Sequence, residues 1–275
     1  MTDLNLSNIE AIFLDDGGVI NDNSKRTPQW QRLIGEFMVT RFGGDADAWV
    51  KSNVAFIARE AKLMHDGDFF PPGVDPDEVI RQRDDRFITE MCKDVGIEPP
   101  GSSEERVVLA RELHNYGIAN VRAEFPGAVD AIRELHSMGY AIYMASGGSS
   151  VDLRLQLTAS DVADLFTETY GSDIAGIPKG GREFYDSILE HSGVEAAVAL
   201  FLDDTPNSIR RIAEVGARCV LISTTEEEPA AIARLGSLVE LPGLLRGLMR
   251  SGLHPERQSP QRELGNAPKY LLIRI

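Results

Sequence analysis

Ile9-Glu10-Ala11-Ile12-Phe13-Leu14-Asp15-Asp16-Gly17-Gly18-Val19 is a short apolar run that stops abruptly at two acids and two glycines. A run of this length, bounded by turn residues, reads as a strand buried on both faces, the kind found in parallel sheets. It delivers carboxylates into a Gly-rich turn. Similar runs over 140–145, 198–202 and 219–222 end at or near further polar residues, Ser146-Gly147-Gly148 after the first and Asp203-Asp204 after the second. Helical stripes lie between them: Ala128, Val129, Ile132 and Leu135; then Phe184, Tyr185, Ile188 and Leu189; then Ile209, Ile212 and Ala213 behind Pro206. Strands alternating with helices imply right-handed crossovers, so the expected fold is a doubly wound α/β core with a parallel sheet.

The first strand is separated from the others by a stretch of helical periodicity. Trp30, Leu33, Ile34, Phe37 and Met38 share one helix face, with Thr27 and Pro28 read as N-cap and first helical residue. Trp49, Phe56, Ile57, Ala61 and Met64 form a second stripe, and further helices are expected over 76–95 and 103–117. The resulting division is a core of residues 1–22 and 125–251, an inserted helical cap of residues 23–124, and a C-terminal tail of residues 252–275. That tail is polar until Tyr270-Leu271-Leu272-Ile273, a run with no assignment.

Composition narrows the function classes. Among 275 residues, 28 Lys and Arg stand against 43 Asp and Glu, a net charge of −15 that repels nucleic acid and anionic membranes. Two cysteines, Cys92 and Cys219, make neither a disulfide framework nor a structural zinc site and are expected in the core. No basic leader followed by an apolar run opens the chain, and no stretch of about 18 apolar residues occurs. A cytoplasmic protein with no nucleic-acid or membrane partner is the expectation; the sequence does not set the oligomeric state.

Ligands of an open parallel sheet bind beyond the carboxyl ends of its strands. Those ends carry Asp15, Ser146, Asp203 and Asp204, with Lys179 in the loop before a helix that begins near Gly181. Carboxylates that hold a hard cation, beside a hydroxyl, backbone amides and an ammonium that hold phosphoryl oxygens, form a phosphate-and-metal inventory. Taken in order, Ile12-Phe13-Leu14-Asp15-Asp16-Gly17-Gly18-Val19, Met144-Ala145-Ser146-Gly147, Ile177-Pro178-Lys179-Gly180 and Leu200-Phe201-Leu202-Asp203-Asp204-Thr205-Pro206-Asn207 resemble the four motifs of the haloacid dehalogenase-like hydrolases. The long gap between the first two is what that family's first class of helical cap would produce.

The resemblance implies Asp15 as a nucleophile that forms an aspartyl-phosphate. It implies Ser146, the Gly147 amide and Lys179 as the phosphate grip, with Lys179 also offsetting charge at Asp15. Mg²⁺ would sit on Asp15, the Gly17 carbonyl and Asp204, with Asp203 nearby. The substrate so implied is a small phosphorylated metabolite.

One position departs from the pattern. Phosphatases of the family usually carry an acid two residues after the nucleophile, and here that residue is Gly17. Asp16, one residue along an extended segment, starts out facing the other way and reads as a loop acid. Shifting the register to make Asp16 the second acid would put Leu14 in the nucleophile slot. Three readings therefore stay open: a Mg²⁺-dependent phosphatase, a metal-independent dehalogenase, and a non-catalytic binding or regulatory protein on the same scaffold. Arg59, Lys62, Arg81 and Arg83 of the insert either select an anionic substrate or lie on solvated helix faces, and His65 reads as a surface histidine.

Overall fold

The computed structural model describes Leu6, residues 8–66 and residues 73–250. The tail with its 270–273 run lies outside the described residues, as do the Met64 and His65 side chains and residues 67–72. No helix among the described residues is long and apolar enough to cross a membrane.

The opening run forms strand β1 (Ala11–Leu14), all of whose residues are buried. Its alternate side chains feed two separate cores. Ile12 and Leu14 join Ala128, Ile132, Leu153, Leu200 and Val220 on one side, while Ala11 and Phe13 join Phe184, Ile188, Phe201, Ile209 and Cys219 on the other. Two cores divided by one strand mean helices on both faces. Chain order supplies them: after the insert come α5 (Ala128–Ser137), β2 (Ala141–Ala145), α6 (Ser150–Ala159), β3 (Phe166–Tyr170), the single turn α7 (Ser172–Ala175), α8 (Arg182–Ser192), β4 (Ala199–Asp203), α9 (Pro206–Glu214), β5 (Arg218–Ile222), β6 (Ala233–Leu235) and α10 (Leu241–Arg250). The six strands form one sheet in the order β3-β2-β1-β4-β5-β6, and every pairing is parallel.

Register places the chemistry. Leu14 pairs with Met144 on one side and with Leu202 on the other, so Asp15 emerges level with Ala145 and Asp203 at one edge. The register is locked below by a three-ring stack. Phe13 lies between Tyr143 and Phe201, with centroids 4.6 and 4.3 Å away and planes within 13° and 10°.

Between β1 and α5 run four helices, α1 (Asn23–Phe42), α2 (Ala46–Asp66), α3 (Pro76–Val95) and α4 (Ser103–Asn120), around an apolar cluster of their own that includes Ile34, Trp49, Phe56, Phe87 and Leu113. The start of α1 corrects the expected cap. Asp22, not Thr27, caps it by accepting from the Ser24 N–H at 2.9 Å, and Pro28 lies inside the helix. Pro28 stands at the sixth helical position, past the first turn, and so removes the bond a backbone N–H there would give to Ser24 O. A second correction concerns the α2 stripe, where Ile57 is 44% exposed instead of joining the cluster. Cys92 and Cys219 are buried and unpaired, as expected. β3 and β6 are sheet edges with mixed side chains (Phe-Thr-Glu-Thr-Tyr and Ala-Arg-Leu), too polar to stand out as buried strands in the sequence.

Phe13→Ala should remove both ring contacts and leave a void at the centre of the sheet, lowering unfolding free energy by about 3–5 kcal/mol. Urea melts of the full chain read this directly, and a loss below about 1 kcal/mol would contradict the stack as a register lock.

Candidate active site

At the carboxyl edge of the sheet a single cation stands between two carboxylates. The Lys179 ammonium lies 2.8 Å from Asp15 Oδ1 and 2.7 Å from Asp203 Oδ2. All three side chains are at least mostly buried. Asp15 is fixed at the backbone by donating its N–H to Leu202 O at 3.0 Å, and its Oδ1 also accepts the Asp16 N–H at 2.8 Å. Asp203 is fixed by Thr205, whose N–H and hydroxyl both donate to Asp203 Oδ1, at 2.9 and 2.8 Å. Ser146 hangs from the end of β2, its N–H donating to Tyr170 O at 3.0 Å. The strand-end geometry thus brings together Asp15, Ser146, Lys179 and Asp203, four residues read as candidates from the sequence.

Burial dominates the electrostatics. It raises the Asp15 carboxyl to about 6, against the pull of Lys179 and with a push from Asp203. Burial works against the Lys179 charge too, but the carboxylates of Asp15 and Asp203 outweigh it and hold the ammonium firmly protonated. Asp204 is raised as well, first by burial and then by Asp203.

The acids fit a hard divalent cation. Asp15, Asp203 and Asp204 can each present a carboxylate oxygen within 4.8 Å of the others, and one lysine leaves these three negative charges only partly balanced. Oxygen-only donors at this spacing suit Mg²⁺ chemistry. Gly18 makes room for the third acid: its φ is +79° and a Cβ there would overlap the Asp204 carboxylate.

Gly17 is a different case. Its φ is not in the left-handed region, and a Cβ would instead meet the Asn23 amide, Nδ2 at 2.5 Å. Asn23 therefore occupies the room a second acid would need, a residue that sequence reasoning missed because it belongs to the first turn of α1. Asp16 is corrected from a loop acid to a buried structural one. It forms an ion pair with Arg26, accepts from Asn21 Nδ2 at 2.7 Å, and its carbonyl accepts from the Ile20 and Asn21 N–H groups at 3.0 and 2.9 Å. A carboxylate tied to Arg26 and Asn21, with the backbone carbonyl holding two further N–H groups, keeps the turn together; its ion pair is with the insert and not with Lys179.

Next to this cluster, between the insert helices and the Gly147-Gly148-Ser149 turn, lies a cavity of about 790 Å³. It touches Asp16 and Gly147 but is offset from Asp15 and Lys179. Of the four basic insert residues singled out in the sequence, Arg83 lines it, as Arg26 and Arg111 also do, whereas Arg59 and Arg81 pair with Glu90 and with Glu78 and Glu104 on half-exposed surfaces. Lys62 is also exposed.

Comparison with known proteins agrees with this architecture. The family model for haloacid dehalogenase-like hydrolases matches residues 9–216. The chain belongs to the haloacid dehalogenase-like hydrolase family. Enolase-phosphatase E1 of Xylella fastidiosa (strain 9a5c) is 30% identical over 108 residues, 38% of this chain and 46% of that protein. Flavin mononucleotide hydrolase 1 of Arabidopsis thaliana is 32% identical over 76 residues, 28% of this chain and 31% of that protein. The chain spans at most about half the length of the curated relatives it matches. In fold it is similar to the 2-haloacid dehalogenase from Pseudomonas syringae pv. Tomato DC3000, with a TM-score of 0.62 at 16% identity over 87% of this chain and 99% of that one. Its parallel sheet carries an acidic cluster at the strand ends.

Lys179→Met leaves Asp15 and Asp203 buried without their cation, which should lower stability by about 3–5 kcal/mol at pH 8 in chelator. A carboxyl whose folded pKa lies above its unfolded one binds extra proton in the folded state, so its contribution is lost as pH rises and regained as pH falls. The deficit relative to wild type should therefore shrink between pH 8 and pH 5. Equal deficits at both pH values in urea melts would contradict the bridging role.

Proposed function

We propose that the protein is a Mg²⁺-dependent phosphatase of a small phosphorylated metabolite, with Asp15 as nucleophile and residues 23–124 acting as a cap over the 1–22 and 125–251 core. The observation that carries this reading is the gathering of Asp203 and Asp204 beside Asp15: attack on carbon needs one carboxylate, whereas three acids gathered at one point suit a cation that offsets a phosphate. The relatives named for phosphatase and flavin mononucleotide hydrolase activities support it.

In this reading a carboxylate oxygen of Asp15 forms a bond to phosphorus as the bond to the leaving alkoxide breaks, giving an aspartyl-phosphate. Water then attacks that phosphorus, releasing inorganic phosphate and restoring the carboxylate. Lys179 holds Asp15 in place and offsets negative charge on the phosphoryl oxygens, while the Ser146 hydroxyl and the Gly147 amide grip two of them. Asp15, the Gly17 carbonyl and Asp204, with Asp203 nearby, would hold Mg²⁺, which when bound would supply positive charge to offset the repulsion between an anionic carboxylate and an anionic ester. With Gly17 and Asn23 where an acid would stand, the departing alkoxide takes its proton from water, so good leaving groups are favoured.

A second reading, a metal-independent dehalogenase, draws on the same vacancy of acid at Gly17 and on the fold shared with haloacid dehalogenases. One assay separates the two. With an aryl phosphate, turnover should require Mg²⁺, vanish in chelator and vanish in Asp15→Asn, whereas halide release from a 2-haloacid in chelator would favour the dehalogenase. Gly17→Asp, if Asn23 swings aside, should raise turnover of alkyl phosphates by about 10²-fold or more by restoring an acid. Thermal melts run alongside separate failure to fold from failure to act. Aryl phosphate turnover that survives Asp15→Asn would overturn the assignment of the nucleophile.

A further inference from the structure

The cavity beside Gly147 has walls unlike those of a sugar site. At about 790 Å³ it is large enough for an organic group well beyond a phosphate. Val54 and Ile57 of α2 face it and are each 44% exposed, large apolar side chains with no other element to cover them. Opposite, an aromatic wall runs Trp30, His114, Phe87, with His114 centroids 6.1 Å from Trp30 and 5.8 Å from Phe87, the second pair within 23° of parallel.

Charge in the cavity is already matched. Each arginine that lines it is held by carboxylates: Arg26 by Asp16, Arg83 by Glu60 and Asp84, Arg111 by Asp84 at 3.1 Å and Asp152 at 3.0 Å. On the core side, Ser172 donates to Gly147 O and Asp173 accepts from the Ser150 N–H and hydroxyl. Two buried polar atoms on the lining side chains are left without hydrogen-bond partners, Asn53 Oδ1 and His114 Nδ1. His114 Nδ1 stops 3.9 Å from Asp152, and burial pushes its imidazole down to about 4, so at neutral pH it is an uncharged group.

We infer that the ester's leaving group is a bulky, neutral, mostly hydrocarbon alcohol, seated between Ile57 and the Trp30–His114–Phe87 wall with one polar function turned to Asn53 and His114. This deepens the phosphatase reading and rests on it. A hexose would set hydroxyls against Val54, Ile57 and the aromatic side chains, which cannot pair with them, and a second phosphate would find every lining arginine already engaged. Continuity with Gly147, next to Ser146, places such a group on the substrate side of the phosphate grip.

The test separates binding from chemistry. Quenching of Trp30 fluorescence, with Trp30→Phe as the control for the buried Trp49, measures binding of 2-naphthylmethanol to the full chain. In parallel, kcat/KM is compared for 2-naphthylmethyl phosphate and glucose 6-phosphate, both esters of primary alcohols, with Mg²⁺. The alcohol should bind, and the naphthylmethyl ester should be favoured by about 10- to 100-fold. Ile57→Asp, at a half-exposed position, should weaken the alcohol by about tenfold or more and collapse the preference between esters. No binding of the alcohol, binding indifferent to Ile57→Asp, or equal use of glucose 6-phosphate overturns the substrate class while leaving the phosphatase standing. Binding of the alcohol with neither ester hydrolysed while an aryl phosphate is turned over overturns the substrate class; no turnover of any of the three overturns the phosphatase itself, and the substrate assignment with it.

Discussion

A buried ammonium held between two strand-end carboxylates is the constraint around which the rest of this fold is arranged. Asp15 and Asp203 are level because β1 and β4 are parallel neighbours in register, and two like charges at that range cannot both stay ionised in a buried site without a counter-charge. Lys179 supplies it from the loop ahead of α8. The sheet register, the Phe13 stack beneath it and the Thr205 turn that fixes Asp203 all serve to keep those three side chains in contact. Adding Asp204, for which Gly18 clears the space, sets three carboxylates against one ammonium and creates the demand for a further cation.

The turn after Asp15 shows how the same scaffold is altered. Asp16 is given over to structure, tied to Arg26 and Asn21, and its ion pair joins the core turn to the first helix of the insert. Asn23, from that same helix, fills the space beside Gly17. The insert is thus coupled to the turn after Asp15 at two points. The same coupling leaves no room for an acid at Gly17, and in the proposed phosphatase this makes the leaving group's own stability decisive.

Much of this was legible in advance because buried parallel strands are apolar runs that end in polar residues, and the ends are where ligands bind. The helices over 76–95 and 103–117 announced themselves by periodicity, and the structure adds a Ser102–Glu105 capping box at the start of the second. Local signals failed where partners are remote in sequence. Thr27-Pro28 is a good helix start in isolation, but Asp22 wins because its carboxylate reaches the Ser24 N–H. Ile57 looks like core until the insert is seen to leave it facing a cavity, and nothing near Asp16 foretells that Arg26 will neutralise it. The gathering of Asp15, Ser146, Lys179 and Asp203 at the strand ends was readable from motif order; the cavity beside Gly147, to which the insert helices and the core both contribute, was not.

The central claim is that Asp15 itself attacks phosphorus. With no group at Gly17 to activate water, the aspartyl-phosphate should break down slowly enough to trap. Quenching the full chain in borohydride during turnover of an aryl phosphate, followed by peptide mass analysis, reads the site of attachment. The account predicts reduction of Asp15 to homoserine, dependent on Mg²⁺ and absent in Asp15→Asn. Reduction at Asp16, or an unmodified Asp15 while phosphate is being released, would contradict it.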